Sequence, residues 1–575
     1  MKTFSSFLPV GLLAGLLIAY YGPAAAQAPA WQSAREVAAA TAAATTNYSE
    51  VTATAVGAAG EVYVVGNFTN TVVLGSTTLT SLGNYDVFIA RFNPASNQFV
   101  WVTQAGGVGR DYAYALATSG TSVYVAGTFF SPTASFGSTA LTNAGSGNVF
   151  VAKLTSAGSF GWAQAAGGTS GSDGATALAV SGASVYVAGS FESRTANFGS
   201  VTLTNVGNQF THDVYVAKLI DAGSTGSFAW AQRAGGASRD YANALTVSGA
   251  NVYVAGSFAS PTAGFGAAIL ANAGSDDAFV AKLTDAGPTG SFEGAQRAGG
   301  TSLDVARALA ANGASVYVAG DFSATAGFGA TTLTTAGNGD VFVAKLTDAG
   351  PTGSFGWAQR AGGTNPDNAA ALAVSGTSLY VAGGFSSATA AFGSATLANA
   401  GGTTGYNDVF VAKLTDAGST GSFAWAQRAG GTSYDRASSL ALGSTSVYVA
   451  GSFNSATADF SPLSLTNPYP GPTNSPLNAL GFLARLTDPT LPTAAAAGRA
   501  LAPAQLFPNP AHGTATLRLP AGTAPAPLVL TDVLGRAVRR YPAPAGAEAA
   551  LDLGGLPAGL YLLRGAGPAR RLAVE

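Results

Sequence analysis

Carboxylates recur along this chain at one fixed place, and they are the first side chains to ask for chemistry. Asp111, Asp173, Asp240, Asp304, Asp367 and Asp435 each stand twelve residues before a pentapeptide of the type Val-Tyr-Val-Ala-Gly. The same count from the first pentapeptide lands on Glu50. A ring of such acids would suit Ca²⁺ or a cationic ligand, because hard cations take oxygen donors. An aspartate in a glycine-rich turn also has a plainer use: it accepts backbone N–H bonds and fixes the turn. No D-x-D-x-D-G loop is present, so an EF-hand type of site is absent. No cofactor is expected, and Ca²⁺ is the one ion these acids would suit. A second acid or amide recurs at Asp86, Asn148, Asp213, Asp277, Asp340 and Asp408, five residues before an Arg or Lys. It reads either as a polar pair linking neighbouring units or as a loop acid beside a cation whose stem lies along apolar surface.

Other chemistry is excluded by what the chain lacks. Its 575 residues hold no Cys and only two His, His212 and His512, so disulfides, cysteine nucleophiles and multi-histidine metal sites fall away. There is no G-x-S-x-G, P-loop or H-E-x-x-H motif. A glycosidase needs two carboxylates facing one cleft, and nothing singles out such a pair. Charged residues make up only 9%, with a net charge of −2, which excludes a polybasic nucleic-acid binder. A hydrophobic share of 47% excludes a charged disordered chain.

The elements that must position these acids repeat. The pentapeptide begins at Val62, Val123, Val185, Val252, Val316, Leu379 and Val447. A run of the type DVFVAKL follows each one, then a WAQRAGG-type segment that holds all six Trp of the chain. Runs that are apolar on both faces belong to strands covered on both sides, and frequent Gly opposes helices. Each repeat therefore reads as four antiparallel strands. Between the second and third, the FG and LTN elements read as a small hairpin. Seven such repeats predict a seven-bladed β-propeller over 27–486 rather than a β-solenoid, whose repeats are shorter. The last repeat lacks its fourth strand and the N-terminus has a spare copy, WQSAR from Trp31, so that strand should close the last blade.

Repeats carry what a fold requires; binding sites break symmetry. Departures cluster between the second and third strands: FESR (191–194) and NQFTHD (208–213), GGTTGYND (401–408), and TNPYPGPTNSPLN (466–478). Tyr406 and Tyr469 in these loops could stack on sugar rings. That face is the expected contact surface.

Both chain ends read as addresses. Lys2 precedes an apolar run of 15 residues, Phe7 to Tyr21, followed by small residues. Residues 1–26 are thus expected to be a signal peptide cleaved after Ala26. No later run is long enough for a membrane span, and a monomer is the expectation. A Pro/Ala-rich linker over 487–504 leads to a basic segment: 501–575 carries seven Arg and four acids. Its short strands suggest a small C-terminal β-sandwich.

The repeats G-G-x-x-x-D…VYVAG…DVFVAKL…W resemble the SBBP-type bacterial β-propeller repeat, whose members are exported and share no enzymatic assignment. Residues 505–575 resemble the C-terminal sorting domain of the type IX secretion system of Bacteroidota. The residues that carry the likeness are Phe507 with Pro508, Asn509 and Pro510, Gly535-Arg536, the LPAGLYLLR stretch with Gly559 and Tyr561, and Arg570-Arg571. The resemblance implies passage by signal peptide, then export guided by the tail, with the type IX machinery as a partner. The product would be secreted or anchored at the outer-membrane surface. The leading expectation is a non-catalytic binding or adhesion module for extracellular glycan or matrix. The alternatives are a polysaccharide hydrolase or lyase on the same scaffold, or a purely structural surface protein.

Overall fold

The computed structural model describes residues 28–41, 48–208, 210–350, 353–470, 478–491, 505–518, 527–532, 536–542, 548–565 and 567–575. The expected signal peptide with Ala26, most of the 487–504 linker, and Gly535 lie outside the described residues. The chain divides into two units, 1–491 and 492–575.

In the first unit each repeat folds as four antiparallel strands. The third repeat is typical, with strands Asp173–Ser181, Ser184–Phe191, Asp213–Asp221 and Gly226–Ala234 paired in that order. The first two are joined at a tight turn where Gly182 takes φ 62°, as such hairpins require. Seven such four-strand sets occur among the described residues, and two of them run on into a neighbouring hairpin. The seventh set combines Asp435–Leu442, Ser446–Phe453 and Leu480–Thr487 with the N-terminal strand Trp31–Val37, which takes the fourth place.

The first strand of each set packs on the first strand of the next, and Asp435–Leu442 returns to Ser49–Val56. Seven apolar cores follow the same order, each shared by two neighbouring sets. This explains the unbroken apolar runs: Ser446–Phe453 and its equivalents are buried nearly throughout because both faces are covered. The FG/LTN hairpins also tie neighbours. Thr133–Phe136 of the second repeat pairs with Gly106 and Gly107 of the first.

A buried polar clamp joins neighbours at one end of the sheets. Lys153, Lys218, Lys282, Lys345 and Lys413 pair with Asp221, Asp285, Asp348, Asp416 and Asp488 of the following set at 2.6–2.8 Å. The second-strand tyrosines Tyr124, Tyr186, Tyr253, Tyr317 and Tyr380 donate to the same carboxylates. Three of the tryptophans, Trp162, Trp230 and Trp357, donate there too. These lysines therefore do not pair with the acid five residues earlier in their own strand. Side chains five apart on a strand point to opposite faces. Burial alone would raise the Asp221 carboxyl, but Lys153, Tyr124 and Trp162 outweigh it and hold it at about 2.

The second unit is also all strand among its described residues. Gln505–Phe507, Thr514–Arg518 and Glu548–Asp552 form one sheet; Ala537–Tyr541, Leu528–Thr531, Gly559–Gly565 and Gly567–Val574 form another. Leu517 and Leu551 of the first sheet share a core with Leu530 and Leu572 of the second.

Candidate functional site

Antiparallel pairing puts two kinds of loop at the same end of every sheet: those from a fourth strand to the next first strand, and those from second to third strand. The recurring acids lie at this junction end, beneath the surface. Asp111, Asp173, Asp240, Asp304, Asp367 and Asp435 are at most 1% exposed. Asp111 is representative. One oxygen accepts from the Gly107 N–H at 2.7 Å and the Ser131 hydroxyl at 2.6 Å, the other from the N–H groups of Phe130 and Ser131. These carboxylates hold the turn of one set against the loop of the next.

Glu50 does not occupy this place; Ser49 does. Asp111 pairs in register with Phe129, and the residue opposite the equivalent Phe68 is Ser49. The turn after Ser49–Val56 is one residue longer, so the twelve-residue count overshoots. Ser49 accepts the Gly481 N–H through its hydroxyl, while Glu50 pairs with Arg436 at 2.6 Å.

The second acids face the first across each junction. Asp213, Asp277, Asp340 and Asp408 accept from Arg233, Arg297, Arg360 and Arg428 at 2.5–2.9 Å. Their other oxygen, like that of Asp86, is buried with no hydrogen-bond partner among the described residues. Each such oxygen lies beside a glycine, as Asp213 Oδ1 and Asp240 Oδ2 both flank Gly235, whose φ is 127°. A Cβ there would fall within 2.7 Å of either oxygen. Burial and the facing acid push Asp86 and Asp240 up to about 6, and Asp304 and Asp435 up to about 7. The junctions co-vary. Where the arginine is replaced by Ala165, the acid is Asn148; where it is Glu36, the acid is Leu480. The first junction keeps both acids, Asp86 and Asp111, but has Gln104 in the arginine's place.

Nearer the middle, every first strand slips register by one residue. The bulged residues are Thr52, Tyr114, Thr176, Asn243, Arg307, Ala370 and Ser438. A bulge re-aims its side chain, and all of these line one cavity of about 440 Å³. The invariant Gly of the pentapeptide makes room for the bulge: a Cβ at Gly256 would lie 1.8 Å from the Tyr241 carbonyl oxygen. Sequence reading missed this site. Its only signal was one variable position inside an Ala-x-Ala that five of the seven repeats keep.

The asymmetric loops of the third repeat also meet. Glu192 and Arg194 from one, Asn205, Asn208 and Phe210 from the other, line a cavity of about 640 Å³ with Ser146 and Ser170 of the neighbouring set and loop. Phe210 is 77% exposed, and His212 contacts the Tyr241 ring at 5.0 Å. Tyr406 is half-buried edge-on against Tyr434 at 4.6 Å, and Tyr469 caps the Asn467 side chain through its N–H. The first unit has ten exposed large apolar side chains among its described residues, and all but Val100 and Ile269 are at the junction end.

In the second unit Asn509 bridges to the last strand, donating to the Arg571 carbonyl at 3.0 Å and accepting from Ala573 N–H at 2.8 Å. Pro508 and Pro510 are exposed beside it. Arg536 is exposed and pairs with Asp532, Gly559 opens its strand, Tyr561 donates to the Pro557 carbonyl, and Arg570 lies in the last strand.

Residues 505–569 match a family model described as a secretion system C-terminal sorting domain. No curated protein matches the chain. Among solved structures, the extracellular domain of a one-component system from B. thetaiotaomicron is similar at 6% identity, covering 95% of this chain and 99% of that one, with a TM-score of 0.17. The sorting domain indicates export by type IX secretion, with the machinery as a partner, to the cell surface or the extracellular space. No helix among the described residues is long and apolar enough to cross a membrane.

Proposed function

We propose that residues 27–486 form a monomeric seven-bladed β-propeller of the SBBP type that binds extracellular glycan or matrix without catalysis. A signal peptide over 1–26 and a linker over 487–504 to a sorting domain at 505–575 complete this reading. The cyclic order of contacts and of shared cores supports the propeller. One observation carries the binding role: eight of the ten exposed large apolar side chains of the first unit sit at the junction end, with the variable loops. Such clustering on a soluble surface marks interaction.

Against catalysis stand the cavities themselves. Each has one carboxylate in its lining, Glu192 or Glu50, and both are engaged, Glu192 with the Ser172 N–H and Glu50 with Arg436. Glycoside hydrolysis needs two. The first-strand aspartates serve as scaffold on this reading, since Gly and loop N–H groups, joined by a Ser hydroxyl at all but Asp304, occupy their oxygens. The test is retention of the mature full-length protein on a polysaccharide panel with and without chelator, with released reducing ends measured. Retention without product, indifferent to chelator, is expected. Released sugar would make the protein an enzyme. Loss of retention with chelator would return the junction acids to a Ca²⁺ role.

A further inference from the structure

Building on the propeller and binding reading, we propose that the cavity bordered by the seven bulged residues seats an uncharged sugar, with Tyr114 as its aromatic wall. All seven repeats keep the pentapeptide Gly and six keep the first-strand Asp, yet this one position carries Thr, Tyr, Thr, Asn, Arg, Ala and Ser. Packing cannot demand so many different side chains at equivalent sites. All seven nevertheless point into one space, and its volume of about 440 Å³ lies within the range of small-molecule sites, roughly 300–1,000 Å³.

The lining selects the chemistry. Arg307 is neutralised by Asp321, and Arg436 by Glu50 at 2.6 Å, so the cavity offers no net charge to an anionic or cationic ligand. What it offers is hydroxyls and amides. Thr52, Thr176 and Asn243 donate to the carbonyls of Ala113, Ala242 and Ala306, which leaves their oxygens free to accept. Asn368 and Ser438 also line the cavity and make no side-chain hydrogen bond among the described residues. Tyr114 is 40% exposed and stacks on Tyr112 at 6.0 Å, and the aromatic strip continues to Tyr85 and Tyr48. Aromatic faces beside paired donors and acceptors suit a polyhydroxy ring.

The experiment uses the mature full-length protein and four probes: maltotriose, cellotriose, mannotriose and trigalacturonate. Binding is read by calorimetry and saturation-transfer NMR. Tyr114→Ala removes the wall. Ala370→Trp fills the cavity without deleting a hydrogen bond, and Ile269→Ala, exposed away from the junction end, is the control. The expected result is binding of at least one neutral trisaccharide, weakened at least tenfold by Tyr114→Ala, abolished by Ala370→Trp and unchanged by Ile269→Ala, with melting temperatures unaltered. Binding that survives both cavity variants would overturn the site. Preference for trigalacturonate would overturn the neutral ligand. Retention on an intact polysaccharide with no trisaccharide bound would overturn this cavity while leaving the binding module standing. No retention and no trisaccharide binding would sink both.

Discussion

Asp86→Asn should stabilise the protein at neutral pH and leave it unchanged in acid. Asp86 is fully buried, accepts the Leu82 N–H at 2.6 Å through one oxygen, and leaves the other without a partner among the described residues. It faces Asp111, and Gln104 stands where other junctions have an arginine. Burial and the Asp111 charge hold it near pH 6, against an ordinary 3.8. The unfolded chain ionises from about pH 4, whereas the folded chain resists until about 6. The favourable contribution is therefore full below pH 4, is lost as pH rises from 4 to 6, and stays lost above. Two pH units correspond to about 3 kcal/mol. For a unit of roughly 460 residues the unfolding entropy is about 1 kcal/mol per degree, so the melting temperature should rise by about 3 °C at pH 8 and by none at pH 4. The second junction supplies the precedent. There Asn148, with its amide oriented to suit its neighbours, donates to the Gly168 carbonyl and accepts from the Ala144 N–H. Scanning calorimetry of wild type and variant at the two pH values decides it. Equal shifts at both, or a lower melting point at pH 8, would mean that Asp86 carries no ionisation penalty in the fold. The same substitution at Asp277 should act in the opposite direction at pH 8, because it removes the partner of Arg297.

Other outcomes follow from the same geometry. Asp221→Asn leaves Lys153 and Tyr124 without their carboxylate and should cost about 3 kcal/mol or more; urea titration at pH 7 measures it. In wild type, that carboxylate's stabilising share, present above about pH 4, should disappear as pH falls toward 2. Deleting residues 27–40 removes strand Trp31–Val37 with its buried Trp31 and should lower the melting temperature by more than 5 °C; an unchanged melting curve would mean that the strand does not close the last set. Gly256→Ala should destabilise by more than about 2 kcal/mol, since the bulge leaves no space for a Cβ. Truncation after residue 504 should leave the product inside the outer membrane, as cell fractionation would show; normal surface delivery would contradict the role of the tail.

The strand repeat was legible because each set must bury both faces, which writes itself as apolar runs and invariant glycines. The N-terminal strand was legible as a spare copy of the Trp segment. Counting failed at Glu50, because position relative to a motif ignores turn length, and one extra residue moved Ser49 into the aspartate's place. The partners of the lysines escaped too. Asp221 and its equivalents meet a lysine of a different repeat only after the sheets pack. The asymmetric loops 191–194 and 208–213 stood out as departures from symmetry and line one cavity. The bulges left only a variable position between small residues, since a register slip has no residue type of its own.

On the reading proposed above, ligands meet the junction end. Hydroxyl-radical footprinting of the mature protein, with and without the polysaccharide that retains it, tests this directly. Protection should fall on Tyr114, Phe130, Phe210 and Tyr434, with Val100 and Ile269 unchanged. Protection confined to Val100, Ile269 or the opposite turns, with the junction end still reactive, would contradict it.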